Sequence, residues 1–261
     1  MSRKLLTSAL LAAGLLTAGA AQAALINVGG VVWDPSAPVD FFAQSNLWER
    51  VIAGTGNDLT GIGNVTALNN KDNIGSDAFC PGCELTYEFG GFTLTDIIPA
   101  TGTQTKDQLV FSGGWLKIYV DTNQDFDPNN KNTATNGTLW LSLVGHTNID
   151  TQLGKSGTLF GSINTGTLGT GQDNGGGEGL FDVVGGVAKG NFDTNSRPDS
   201  IGGFADFTFS SSYQPQGSVT PDGYGLGGTG ELRGNSIPEP GSLALAGLGL
   251  LGLAGIRRRK Q

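Results

Sequence analysis

Twelve residues beginning at Asp121, DTNQDFDPNNKN, place Asp121, Asn123, Asp125 and Asp127 at alternate positions. Oxygen ligands spaced in this way can converge on a hard cation such as Ca²⁺. The stretch departs from an EF-hand, because Phe126 stands where the sharp-turn glycine belongs and Asn132 where the bidentate glutamate belongs. Any binding would therefore be weak or of another geometry. Asp and Asn also hydrogen-bond their own backbone, so an Asx-rich turn between strands is the plainer reading. Both readings stay open, and no other cofactor is expected.

The two cysteines form CPGC, Cys80 to Cys83. Such a pair serves as a redox centre, half a zinc site or a small disulfide loop. A thioredoxin-like centre needs a helix N-terminus after the first cysteine, whereas here the alternating pattern ELTYEFGGFTLTDI follows. Zinc needs four ligands, and the chain has no second cysteine pair and a single histidine. A structural disulfide pinning a turn before a strand is the favoured reading in an oxidising compartment. His146 ends LWLSLVGH with no Gly-x-Ser-x-Gly element or triad around it. GGGEGLFD, Gly175 to Asp182, resembles one calcium-binding nonapeptide, but a single copy cannot stack. Carboxylates are too many for a glycosidase pair to be nominated without geometry. Trp33 and Trp48 could stack on sugars, while Trp115 and Trp140 lie in expected strands and read as core. No catalytic constellation assembles, and the expectation is a non-enzymatic protein.

The elements that must position these residues are strands. Gly accounts for 44 of 261 residues, and runs of helix-forming residues are nearly absent away from the ends. Alternation marks Cys83 to Ile98, Gly113 to Asp121, Gly137 to His146, Gly179 to Gly190 and Phe204 to Tyr213. In WLKIYV, Trp115, Lys117 and Tyr119 should face one side and Leu116, Ile118 and Val120 the other. The expected fold is all-β, an antiparallel β-sandwich of jelly-roll-like type. One helical piece is expected over Val39 to Ile52, and Asn164 to Gly179 reads as a flexible loop.

The two ends differ in kind from this middle. MSRKLLTSALLAAGLLTAGAAQAA has a basic start at Arg3 and Lys4, an apolar stretch and small residues, and reads as a secretory signal peptide cut after Ala23. At the other end, an apolar run from Leu243 to Ile256 would span about 21 Å as a helix, against about 30 Å of hydrocarbon. It would hold a bilayer only marginally, with Arg257, Arg258, Arg259 and Lys260 kept inside. Pro238 and Pro240 hold Glu239 in extended, accessible backbone. The expected division is a signal peptide at 1–23, a secreted domain at 24–234 and a C-terminal segment at 235–261. Residues 24–237 carry nine basic and 22 acidic side chains, a net of −13. That charge argues against nucleic acid or anionic lipid as a partner.

Pro238-Glu239-Pro240, a short Gly/Leu/Ala helix and an Arg-rich tip together resemble the PEP-CTERM sorting signal of Gram-negative bacteria. The resemblance implies an exosortase as partner, transient membrane anchoring by the C-terminal helix, and release to the surface or extracellular matrix. CPGCELTYEFGGFTLTD and NFDTNSRPDSIGGFADFTFSSSY, Asn191 to Tyr213, are similar to stretches of the flocculation-associated PEP-CTERM proteins. That similarity implies a non-enzymatic protein that aids cell aggregation or biofilm together with exopolysaccharide. A secreted carbohydrate- or calcium-binding module is the alternative, and a polysaccharide hydrolase a more distant one.

Overall fold

The computed structural model describes residues 25–75 and 77–237. The expected signal peptide, Pro238-Glu239-Pro240, the apolar run and the basic tip lie outside them. Strands are β1 (Ile26–Val28), β2 (Val31–Trp33), β3 (Phe41–Arg50), β4 (Asp58–Leu68), β5 (Lys71–Asp72), β6 (Glu84–Ile98), β7 (Lys106–Asp121), β8 (Thr138–His146), β9 (Asn148–Asp150), β10 (Lys155–Gly157), β11 (Leu159–Asn164), β12 (Gly175–Gly185), β13 (Arg197–Pro198), β14 (Phe204–Ala205), β15 (Phe207–Pro215) and β16 (Tyr224–Gly234). A 3₁₀ turn at Lys131–Ala134 and a one-turn helix α1 at Lys189–Phe192 complete the described elements.

Alternation creates the strands. In β7, Leu116, Ile118 and Val120 are buried while Trp115, Lys117 and Tyr119 are half-exposed, as WLKIYV requires. The all-β antiparallel class holds. Pairing runs mostly between sequence neighbours, β3 with β4, β6 with β7, β7 with β8, β11 with β12 and β15 with β16. Neighbours in sequence pair even where the loop between them is long, as over residues 122–137 between β7 and β8. Seven strands follow one another in the order β12-β15-β16-β3-β4-β6-β7, and β8 and β11 share the position that joins β7 back to β12. The main sheet thus closes on itself and leaves few free edges.

Closure depends on one kink. Lys106 to Phe111 of β7 pair with β11, and Trp115 to Val120 pair with β8. Gly113 (φ +73°) and Gly114 (φ +91°) stand at the change of partner, in backbone that side chains rarely adopt. The Phe92 ring lies over Gly114, so close that a Cβ there would be 2.1 Å from it. The sheet bends where the glycines allow it.

Two expected elements are corrected. Phe41–Arg50 is strand rather than helix, because Phe41, Ala43, Leu47 and Glu49 all face inward at a period of two. The doublets Phe41-Phe42 and Leu47-Trp48 each send one residue to either face, which imitates a helical stripe. Gly175–Gly179 is not loop but the first half of β12, paired with β11 on one side and β15 on the other. A Cβ on Gly175 would meet the Ser162 carbonyl at 1.9 Å, and one on Gly176 the Ser211 carbonyl at 2.5 Å. Glycine lets the three strands approach.

Inward residues form one core. At one end Trp33, Phe41, Trp140, Phe192 and Phe207 pack edge-on and stacked at centroid separations of 4.6–6.1 Å. Trp140 is fully buried, while Trp115, expected in the core, lies on the outer face with the Lys117 ammonium 4.7 Å from its ring centroid. Among the described residues, no helix is long and apolar enough to cross a membrane.

Candidate functional site

The antiparallel register of β6 and β7 sets Glu84 directly opposite Asp121. Beyond Asp121 the chain turns, and the backbone N–H groups of Asp125 and Phe126 donate to Glu84 Oε1 at 2.9 and 3.0 Å. Oxygens of Glu84, Asp121 and Asp125 are thereby brought within 4.8 Å of one another. Asp121 is buried; its Oδ1 accepts the Asn123 N–H at 3.0 Å, and its Oδ2 has no hydrogen-bond partner. Asp125 is exposed and accepts from Asn136 Nδ2 at 3.1 Å. Burial pushes the Glu84 carboxyl above its ordinary range; the two N–H donors oppose that shift, and the neighbouring carboxylates of Asp125 and Asp121 add to it.

Of the three aspartates at alternate positions, the structure brings together Asp121 and Asp125. Asn123 contributes its backbone N–H. Asp127 faces its own turn, where Oδ1 accepts from the backbone and side-chain N–H groups of Asn129 at 2.9 and 3.0 Å. For Asp127 the Asx-turn reading describes the geometry. Glu84 was missed because it lies 37 residues upstream of Asp121. Two alternating runs, CELTYEF and WLKIYVD, each place an acid at the same end of the hairpin they form, and that was the available signal.

Cys80 and Cys83 are joined by a disulfide and are buried immediately beside this corner. Asn73 clamps the loop: its Oδ1 accepts from the Cys80 N–H at 3.0 Å and its Nδ2 donates to the Cys83 carbonyl at 2.6 Å. Gln124 Nε2 donates to the same carbonyl at 2.9 Å, tying the Asp121 turn to the disulfide loop.

His146 is held between two carboxylates, Nδ1 to Asp182 at 2.9 Å and Nε2 to Asp199 at 3.0 Å. Burial alone would lower its pKa, but the bonds to Asp199 and Asp182 outweigh burial and hold it above the ordinary histidine value. With both ring nitrogens facing carboxylates, the ring braces β8, β12 and the loop before β14. Inside the closed sheet, Glu49 is 5% exposed and lines two cavities of about 30 Å³ each. Neither motif nor spacing marked Glu49.

The C-terminal end of the described chain is fastened to the aromatic end of the core. Ser236 Oγ accepts from Trp33 Nε1 at 3.1 Å and donates to Asp40 Oδ1 at 2.7 Å, while the Ser236 N–H donates to Asp40 Oδ2. The Ile237 N–H donates to the Asn191 carbonyl at 2.7 Å. The folded body thus reaches the residue before Pro238. A family model, the PEP-CTERM protein-sorting motif, matches residues 236–260, beginning at the clasped Ser236. The chain carries a PEP-CTERM sorting signal. No curated protein and no solved structure matches the chain at a significant level. The match spans Pro238, Glu239 and Pro240 as well as Arg257 to Lys260, and it implies exosortase as the processing partner of an exported protein. The PEP-CTERM signal also implies membrane-associated sorting before release to the surface.

Proposed function

We propose that this is a non-enzymatic surface or extracellular-matrix protein that promotes cell aggregation together with exopolysaccharide. The observation that carries the reading is the junction at Ser236, where a closed, acidic β-domain passes directly into a PEP-CTERM sorting signal. In this reading the signal peptide at 1–23 starts export, the C-terminal helix holds the protein for exosortase, and the β-domain is what the cell delivers. The polar groups of the domain support a structural role. His146 is committed to Asp182 and Asp199, and the disulfide and Asn73 fix the Cys80 loop. The similarity of Asn191 to Tyr213 to flocculation-associated proteins supports aggregation as the outcome.

A carbohydrate-binding module is the second reading, favoured by the half-exposed Trp115 with Lys117 beside it on the outer face of β7. A strain lacking the protein is expected to settle more slowly than its parent and to recover when the full chain is restored, but not when a chain lacking Ile237 to Gln261 is supplied. Unchanged settling of the deletion strain would contradict the aggregation reading. Capture of the protein by purified exopolysaccharide, lost in Trp115→Ala, would favour the second.

A further inference from the structure

We propose that Glu84, Asp121 and Asp125 form a calcium site at the end of the β6-β7 hairpin. Three carboxylate oxygens lie within 4.8 Å of one another, and among the described residues none of the three is in an ion pair. Like charges this close repel unless a cation or a proton stands between them. The second observation is Asp121 itself. It is 7% exposed, and its Oδ2 is buried without any hydrogen-bond partner. A buried carboxylate oxygen left unpaired is costly, and the acids beside it cannot supply a donor while ionised. A divalent cation satisfies it and the repulsion together.

The donor set selects the ion. All three side chains offer oxygen, both cysteines are consumed in the disulfide, and His146 is held by Asp182 and Asp199. Soft-metal chemistry therefore has no ligand here. Glu84 and Asp121 are fixed by strand pairing, whereas Asp125 sits on an exposed turn that can close onto an ion. Such mixed rigidity suits Ca²⁺, which accepts irregular oxygen shells, better than Mg²⁺, which demands an octahedron and gives up water reluctantly. Bound calcium would lock the Asp121 turn against the disulfide loop that Gln124 already touches. An affinity of about 10⁻⁴ to 10⁻³ M is expected, as for other extracellular modules. That range rests on the export reading; the site does not.

The test uses the full chain purified in detergent and stripped with EDTA. Calorimetry with CaCl₂ is expected to give a single-site isotherm, and the melting temperature should rise by several degrees at saturating calcium. Asp125→Asn, an exposed change, and Asp121→Asn should each weaken calcium binding at least tenfold, and Asp127→Asn should leave it within twofold. In the absence of calcium, Asp125→Asn should melt no lower than wild type, because it removes a repelling charge. Wild-type protein with neither heat nor a melting shift would overturn the site. So would retention of wild-type affinity by both Asp121→Asn and Asp125→Asn, or its loss in Asp127→Asn. A response to MgCl₂ equal to that to CaCl₂ would overturn the choice of calcium. These readouts are independent of sorting and settling, so failure here leaves the proposed function standing.

Discussion

Replacing Glu49 with Gln is expected to remove most of the loss of stability that the wild-type domain suffers between about pH 5 and pH 9. β3 sends Glu49 inward with Phe41, Ala43 and Leu47, into an interior lined by Leu59, Leu159 and Tyr213. Burial, reinforced by the negative Asp173 nearby, pushes its pKa from 4.5 up to about 8. The direction of the effect follows from proton counts. Between those two values the unfolded chain has released this proton while the folded chain keeps it, so rising pH favours unfolding. A shift of this size corresponds to roughly 5 kcal/mol, fully lost once the pH passes the folded value. Gln matches the shape and stays neutral. At pH 9 Glu49→Gln should therefore melt about 10 °C above wild type, while at pH 4 the two should nearly coincide. Parallel pH profiles for the two proteins would contradict the assignment.

The second large effect is expected at Asp206. Its carboxylate, 2% exposed, accepts three backbone donors: Val183 N at 2.8 Å, Thr194 N at 2.7 Å and Asn195 N at 2.6 Å. These bonds fasten the turn after α1 to β12, with Asn195 at a φ of +46°. Asp206→Ala strands three N–H groups in a water-poor site at once. A destabilisation on the order of 4 kcal/mol is expected, seen as a fall in melting temperature of about 10 °C. Asp206→Asn keeps one acceptor oxygen and should lie between. A melting temperature for Asp206→Ala equal to wild type would show that water replaces the carboxylate without cost. The same residue gives a physical reason for the stretch SIGGFADFTFSSSY, in which Asp206 sits where β14 passes into β15.

Strand identity was legible wherever alternation ran unbroken, as at Trp115 to Val120, because a sheet with one buried face imposes a period of two. It failed at Phe41–Arg50, where apolar doublets blurred the period. It failed again at Gly175–Gly179, where strand pairing needs no side chain and composition imitates a loop. Two of the three acids of the corner were legible, since Asp121 and Asp125 are close in sequence. Glu84 required the register of β6 on β7, a tertiary fact with no local signature. Glu49 and the Ser236 clasp were invisible for the same reason: Asp40 and Ser236 are 196 residues apart and meet only when β16 closes against β3. The sorting motif was the opposite case, a contiguous pattern read from residues alone and matched over 236–260.

The central claim is that the β-domain is delivered outside the cell through its C-terminal signal, and intact mass spectrometry of the native extracellular protein tests it most directly. The expected species begins near Ala24 and has lost Arg257 to Lys260 together with the apolar run from Leu243 to Ile256. An extracellular species that still carries the Arg257–Lys260 tip would contradict it.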